Sequence, residues 1–358
     1  MARLGAILKA ISRAIRRDLG TFGQLKTNNF FLFIALLMYS AAESGVAPNS
    51  SYPLLLLLFL VMLFPLSSDP LDKVPPSRLG LWPITGGERF ALRLMSLGLS
   101  PVLWLALAML IMKRMTPLAP ALLTAAVGVQ AIAAVGRGAM KRAQGWSLLR
   151  YIPPFPIRWL PGKLGGLIRL NLRQMLMVLD VYVAVAFSIG GATYFIFGSH
   201  PDPAARPILS LLVALAISTY AQCLFGLDRS SSAMVRYSLL PLQGWEILLA
   251  KDAAYLALLA LLLLPLEPLV GLTSGLVALA VGHHASIKMA TPMRRWRFSG
   301  SRLFPGLVGG IGGIALGLAE HQRGILFFLA ALAMWAASIA LYGAIFSRQL
   351  FTTRTSTL

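Results

Sequence analysis

Long apolar runs alternate with short polar segments along almost the whole chain. Each run is about 17 to 23 residues long, and an α-helix needs roughly 20 residues to cross the hydrocarbon core of a bilayer. The pattern therefore predicts an all-α polytopic membrane protein with about ten transmembrane helices. The predicted spans are 29–47, 51–67, 90–112, 117–136, 176–197, 208–226, 247–266, 272–290, 303–319 and 325–346.

Residues 1–28 follow a different pattern, in which six apolar side chains share a helical face of about 120° and basic side chains occupy the other side. This pattern predicts an amphipathic helix that lies in the membrane interface. A mitochondrial transit peptide has a similar pattern, but here the segment runs directly into the span that begins at Asn29. A second, weaker interfacial helix is predicted from Leu164 to Met175. The apolar set is Leu4, Ile7, Leu8, Ile11, Ile15 and Leu19.

Composition agrees with a membrane protein. Apolar residues make up 57% of the chain and charged residues 12%, whereas soluble domains carry about 25% charge. The net charge of +20 would suggest a nucleic-acid partner in a soluble chain, but basic cytosolic loops beside anionic lipid account for it here. We therefore expect membrane lipids, and no nucleic acid, as partners.

The distribution of Lys and Arg predicts the orientation. With the amino terminus in the cytosol, 28 of the 32 Lys and Arg residues fall inside and 4 fall outside, as the positive-inside rule requires. Ten spans then return the carboxyl terminus to the cytosol. The expected location is the cell (inner) membrane, with both termini and the tail 347–358 in the cytosol.

A repeated loop is the most informative motif. The first copy runs from Arg78 to Arg93 and the second from Arg236 to Lys251. Each matched residue lies 158 positions after its counterpart (236 − 78, 241 − 83, 246 − 88 and 251 − 93), which indicates an internal duplication. The shared set is Arg78, Leu81, Pro83, Glu88 and Arg93 in the first copy, and Arg236, Leu239, Pro241, Glu246 and Lys251 in the second.

Local chemistry explains part of this loop. Thr85 and Glu88 form the pattern Thr-x-x-Glu, which predicts a capping box at a helix start. In the second copy Gln243 replaces the Thr, so only Glu246 is expected to favour the helix, from its first turn. Capping does not explain the recurring upstream Arg and Leu residues, because apolar side chains on a cytosolic loop favour a protein partner or the headgroup layer.

The two loops resemble the loop between spans two and three in the membrane subunits of the second class of ATP-binding-cassette exporters. That family has a pattern similar to Arg…Leu-x-Pro-[Ile/Leu]-[Ser/Thr]-x-x-Glu-x-x-x-x-Lys, and an interfacial helix precedes its first span. The resemblance implies that the ten residues above dock a soluble ATPase subunit. It also implies a transport subunit that is not an enzyme and binds no cofactor, while ATP and Mg belong to the partner.

The domain organisation departs from that family in the first half. The prediction is an amphipathic helix (1–28), four spans (29–136), a basic Pro-rich cytosolic connector (137–163) and six spans with their interfacial helix (164–346), arranged as two parallel, unequal repeats. The family unit has six spans, so the resemblance leaves open whether one chain suffices or two copies form a homodimer.

Other motifs carry less information. The chain has no G-x-x-x-x-G-K-[ST] loop to hold ATP phosphates. Small residues at i, i+4 spacing in the ninth span predict close helix packing, within the chain or between subunits. Asp180 is predicted to pair with Arg173 or Arg169, and His283 and His284 to be polar pathway residues or structural hydrogen-bond partners, with no metal site. The small residues are Gly306, Gly310, Gly313 and Gly317.

The function predicted from the sequence is that of an exporter permease, with a hydrophobic or amphipathic substrate because the predicted outside loops are short and the lining is apolar. An ion-coupled secondary transporter is the main alternative, although such proteins need carboxylates or histidines near the midplane and the sequence offers few. An integral membrane enzyme is disfavoured because no catalytic constellation occurs at usable spacing. A structural anchor would leave the duplicated loop unexplained.

Overall fold

The computed structural model describes residues 85–97, 163–199, 201–228, 237–288, 293 and 298–357, and only isolated positions elsewhere. The described chain is mostly helical. Its helices are α1 (Gly86–Leu97), α2 (Lys163–Met175), α3 (Leu179–Phe197), α4 (Ala205–Ala221), α5 (Gly244–Leu263), α6 (Pro268–Lys288), α7 (Leu303–Arg323) and α8 (Leu326–Thr357).

The helices from α3 to α8 each overlap one of the six spans predicted after residue 164. Among the described residues, three segments are long and apolar enough to cross a membrane, namely Leu179–Phe197, Pro268–Lys288 and Leu326–Leu350. The chain is therefore compatible with a membrane protein. Three predicted parts of the chain lie largely outside the described residues, namely the interfacial helix 1–28, the spans before residue 137 and the connector 137–163. The number of ten spans therefore stays a prediction.

The chain divides into two compact units. The first contains residues 1–25 and 31–154, and the second contains residues 26–30 and 155–358. Within the second unit, strand β1 (Lys26–Thr27) pairs antiparallel with strand β2 (Ser301–Arg302), with Lys26 opposite Arg302. The division of the chain falls within the segment 137–163 that the sequence marks as a connector.

Helix α6 lies at the centre of the second unit, where it packs against α4, α5, α7 and α8. Most of its residues are buried, whereas α3 and α8 bury only a minor share of theirs. The outer helices expose large apolar side chains, including Phe197 on α3 and Leu341 on α8. This arrangement suits a bundle whose outer surface faces lipid, because lipid tails solvate apolar side chains as well as a protein core does.

Helix ends follow local chemistry. Pro268 opens α6, where its missing N–H costs no intrahelical hydrogen bond. Helix α7 ends at Arg323, and the next residue, Gly324, has φ +89° and donates its N–H to Glu320 O at 2.8 Å. The predicted tail 347–358 is not separate from the last span, because α8 continues to Thr357. No Gly or Pro interrupts that stretch, so nothing in it stops the helix.

Candidate functional site

The first copy of the repeated loop begins helix α1. Glu88 Oε2 accepts the Thr85 backbone N–H at 2.9 Å, and the Glu88 N–H donates to Thr85 Oγ1 at 3.3 Å. These are the two reciprocal bonds of a capping box. The pattern Thr-x-x-Glu thus forms the helix start that it predicts.

The second copy begins helix α5 in a similar way. Glu246 Oε2 accepts the Gln243 backbone N–H at 2.6 Å, the same bond that Glu88 makes with Thr85. The Gln243 side chain accepts a hydrogen bond from Trp245 Nε1 at 2.6 Å. In addition, the Gly244 N–H donates to Ser347 Oγ on α8 at 2.8 Å. The Glu246 carboxylate therefore caps the helix through a hydrogen bond, and not only through its negative charge in the first turn.

Apolar side chains near the second helix start are exposed. Leu239 is 70% exposed and Trp245 is 41% exposed, while Pro241 is also exposed and Glu246 is partly buried. Exposed side chains of this kind are available to a partner or to headgroups. Of the other predicted docking residues, Arg78, Leu81, Pro83 and Arg236 lie outside the described residues, and Arg93 is described by its backbone only.

Lys251 does not lie on this surface. Only 2% of it is exposed, and its ammonium group is inside the bundle, where it pairs with Asp228 Oδ2 at 2.7 Å. The family pattern implies that the Lys251 side chain docks the ATPase subunit, but a side chain buried in this way is not available to a docking partner. Lys251 lies five residues after Glu246 on α5, which places it more than one turn deeper in the helix.

The Lys251 ammonium group has a partner for each of its three protons. It donates to Asn171 Oδ1 at 2.9 Å, to Leu224 O at 2.9 Å and to Asp228 Oδ2 at 2.7 Å. It also lies 4.7 Å from the centre of the Phe225 ring. Such complete pairing offsets the cost of removing a charge from water.

Asp228 is equally well paired, and its three partners come from three other parts of the chain. Its Oδ1 atom accepts from Gln174 Nε2 on α2 at 2.7 Å, and its Oδ2 atom accepts from the Tyr237 hydroxyl at 2.8 Å. Tyr237 belongs to the repeated loop and Lys251 to α5. We call this group the Lys251 cluster, defined as Asn171, Gln174, Asp228, Tyr237 and Lys251.

The charge of Asp228 is favoured by these contacts. Burial raises the pKa of the Asp228 carboxyl, but the Lys251 ammonium and the hydrogen bonds from Lys251, Gln174 and Tyr237 outweigh burial and hold the pKa below its ordinary value. A carboxyl whose pKa is lowered by folding stabilises the protein above its unfolded pKa. That contribution disappears as the pH falls through the folded pKa.

Acid is therefore expected to weaken the fold through Asp228. The unfolding temperature of the wild-type protein in detergent should fall progressively as the pH drops below about 5, while that of Asp228→Asn should start lower and fall less. Asp202→Asn is the matched control, because Asp202 is exposed and should leave the slope unchanged. Equal slopes for Asp228→Asn and wild type would contradict the assignment.

A second cluster of buried polar side chains lies around Asp252, the residue after Lys251. His283 Nε2 lies 2.9 Å from Asp252 Oδ2, and Trp335 Nε1 donates to the same oxygen at 2.8 Å. On the other side of the ring, His283 Nδ1 lies 2.8 Å from Ser338 Oγ. We call Asp252, His283, Trp335 and Ser338 the Asp252 cluster. It joins α5, α6 and α8.

The order Asp252, His283, Ser338 resembles that of a hydrolytic triad, but the hydroxyl is not arranged for nucleophilic attack. Ser338 Oγ donates to Ala280 O at 2.7 Å, so its proton points at a carbonyl rather than at the imidazole. A nucleophilic serine instead gives its proton to the histidine. These three side chains are therefore not arranged as a catalytic triad.

The remaining candidate residues have local partners. His284 Nδ1 lies 3.0 Å from the Tyr342 hydroxyl. The carboxylate of Asp180, which is buried, accepts the Ser299 backbone N–H at 2.7 Å, while the side chains of Arg169 and Arg173 are exposed. Within the described part of the chain, no three His, Cys, Asp or Glu side chains form a group that could hold a metal ion.

Comparison with known proteins finds no match to a family model, to a curated protein or to a solved structure.

Sequence reasoning did not single out Asp228 or Asp252. A signal for Asp252 was present, because Lys251 and Asp252 interrupt an otherwise apolar predicted span, and ionisable residues within a span indicate function or pairing. Asp228 carried no such signal, because it follows the end of a span, where carboxylates are common.

Proposed function

We propose that this chain is the transmembrane permease subunit of an ATP-binding-cassette exporter. In this proposal a separate soluble ATPase subunit binds ATP and Mg, and docks on the two repeated loops. Its hydrolysis cycle drives a hydrophobic or amphipathic substrate across the cell membrane. The ten-span arrangement, the four-plus-six division and the cytosolic termini belong to the same proposal, as does a homodimer if one chain cannot complete the pathway.

The observation that carries the proposal is the shared helix start. Glu88 and Glu246 stand at equivalent positions of the repeat, and each accepts the backbone N–H three residues before it. The two loops share both a sequence pattern and a capping hydrogen bond. They are therefore suited to a partner that has two equivalent binding sites. A dimeric ATPase has that symmetry.

The second loop is also connected to the interior of the bundle by side-chain contacts. Leu239 is exposed beside Tyr237, which is buried and donates to Asp228. Asp228 in turn holds Lys251 on α5. A displacement of the loop by a partner would therefore be felt by α5 and by α2 through this chain of contacts. The Lys251 cluster thus supports a coupling function better than a simple helix start does.

An ion-coupled secondary transporter is the second candidate, and one observation favours it. Such a transporter needs ionisable groups within its spans, and Asp252 and His283 form a buried pair there. The two candidates differ in their energy source. The exporter requires a captured ATPase, whereas the ion-coupled transporter requires none.

The exporter proposal is tested by purifying the chain with its ATPase partner and measuring ATP hydrolysis. Leu239→Ala is the sharpest variant, since its exposed side chain contributes little to folding but would be buried on docking. Loss of one buried apolar anchor of about 1–2 kcal/mol predicts about tenfold weaker partner binding. Glu246→Lys is expected to weaken binding further, because a charge of the wrong sign then faces the partner.

Two controls separate docking from folding. Glu246→Gln should retain the helix start, since Gln also serves in a capping box, so any loss of ATPase activity at an unchanged unfolding temperature reports docking. Glu267→Gln changes a carboxylate that pairs with His321, beyond the opposite end of α5, and should leave ATP hydrolysis unchanged. If Leu239→Ala and Glu246→Lys both retain the partner and its activity, or if no ATPase is captured, the exporter proposal fails.

A further inference from the structure

The Asp252 cluster holds titratable groups deep inside the bundle. Asp252 and His283 are both 0% exposed, and Ser338 is 9% exposed. Asp252 directly follows the second repeated loop in the chain, but the buried cluster plays no part in the docking proposed above. For a buried ionisable pair the position of each proton must be assigned, because every buried hydrogen-bond donor needs an acceptor.

The hydrogen bonds allow the protons to be counted. Ala280 O is an acceptor only, so the single Ser338 proton lies in the 2.7 Å contact with that carbonyl. The Ser338 oxygen that faces His283 Nδ1 at 2.8 Å must then accept, and Nδ1 must carry a proton. We assign this tautomer from the hydrogen-bond network.

The other side of the ring requires a second proton. His283 Nε2 and Asp252 Oδ2 are 2.9 Å apart, and two lone pairs at that distance would repel each other. One proton therefore lies between them, on the ring or on the carboxyl. In either form the Asp252–His283 pair has no net charge, and every bond of the cluster is made, including the one donated by Trp335.

We propose that Asp252 and His283 form a proton-binding site whose ligand is a single exchangeable proton from solvent. Loss of that proton leaves one buried negative charge on the pair. The ring then keeps its remaining proton on Nε2, toward the carboxylate, and Nδ1 becomes an acceptor. The Ser338 hydroxyl must turn from Ala280 O to Nδ1, so proton occupancy changes the contact between α6 and α8.

Other titratable groups on α5, α6 and α8 lie near the pair. Lys251 on α5 precedes Asp252, but its ammonium protons are directed at Asn171, Leu224 and Asp228. On the same helix, the Tyr255 hydroxyl has no hydrogen-bond partner among the described residues. On α6 and α8, His284 and Tyr342 bond to each other. The Lys251 ammonium therefore interacts with the Asp252 charge from nearby but makes none of its hydrogen bonds to that carboxylate.

The site can be tested by nuclear magnetic resonance of protein labelled with ¹⁵N-histidine and ¹⁵N-tryptophan in detergent. The chain has only four histidines, and His283→Gln assigns the resonance. Between about pH 5 and about pH 9, His283 Nδ1 is expected to pass from protonated to unprotonated, because Nδ1 carries a proton in either occupied form of the pair and none in the empty form. The Trp335 indole resonance, assigned with Trp335→Phe, should shift with the same midpoint, because Trp335 donates to Asp252.

Two variants decide the assignment. In Asp252→Asn the amide cannot hold a charge and can donate to Nε2, so His283 Nδ1 should stay protonated through this pH range. Ser338→Ala removes the acceptor of the Nδ1 proton and should lower the midpoint, and it serves where Asp252→Asn does not fold. The proposal is overturned if Nδ1 of wild-type His283 keeps the same protonation state throughout. It is equally overturned if the variant measured titrates like wild type.

Discussion

Replacing Lys251 with Met is expected to destabilise the protein strongly, because it leaves a buried carboxylate without its cation. The Met side chain has a similar length but cannot neutralise Asp228, which is 5% exposed. Asn171 Oδ1 and Leu224 O lose their donor at the same time. Removal of one partner from a buried ion pair costs about 3–5 kcal/mol, so the unfolding temperature and the folded yield in detergent should both fall sharply.

A double variant separates the ion pair from simple packing. In Lys251→Met with Asp228→Asn no unpaired charge remains, so the double variant should be more stable than Lys251→Met alone. The difference between the double and the sum of the singles gives the coupling energy of the pair. Lys288→Met is the matched control, since the same exchange at an exposed position should have little effect. A normal melting curve for Lys251→Met would show that the pair does not form in the folded protein.

The same variants also bear on function. If the Lys251 cluster transmits loop displacement to α5, the double variant should fold and bind an ATPase while stimulating its hydrolysis less than wild type does. A cluster that only stabilises the fold predicts full stimulation in any variant that folds. The ratio of ATPase stimulation to partner binding distinguishes these outcomes.

Local features were predictable from the sequence because their partners are near in the chain. The Glu88 cap joins residues three apart, and its sequence pattern contains both of them. The helices α3 to α8 were predictable for a similar reason, because an apolar run of a given length is a local property. The last predicted span ends at residue 346 because the tail that follows is polar. The tail contains no helix breaker, however, and α8 continues to Thr357.

Long-range features were not predictable in this way. Lys251 matches Arg93 in the repeat, but the match fixes only its spacing and not the face of α5 on which it lies. Its partner Asp228 is 23 residues earlier and lies in the turn that follows α4. The Asp252 cluster takes residues from three helices, and no spacing rule connects Asp252 with His283 or Ser338. Tertiary packing alone brings these groups together.

Close packing between α6 and α7 leads to the second large effect. A Cβ atom at Gly313 would lie 2.7 Å from Ser274 Oγ and 3.2 Å from Ser274 O, and one at Gly317 would lie 2.7 Å from Leu211 Cδ2 and 3.1 Å from Val270 O. The backbone of Ser274 and Val270 cannot yield without moving α6. Gly313 and Gly317 therefore pack within the chain.

Replacing Gly313 with Leu should consequently force α7 away from α6, and overpacking of this kind costs about 1–3 kcal/mol at each site. The double change at Gly313 and Gly317 is expected to lower the folded yield and the unfolding temperature further. Gly309→Ala is the matched control on the same helix, because the nearest atom to a Cβ there is Val281 Cβ at 3.7 Å, an ordinary contact. If the Leu variants melt like the Gly309→Ala protein, α7 does not pack on α6 through this face, and a contact between subunits becomes the better explanation for the spacing of its glycines.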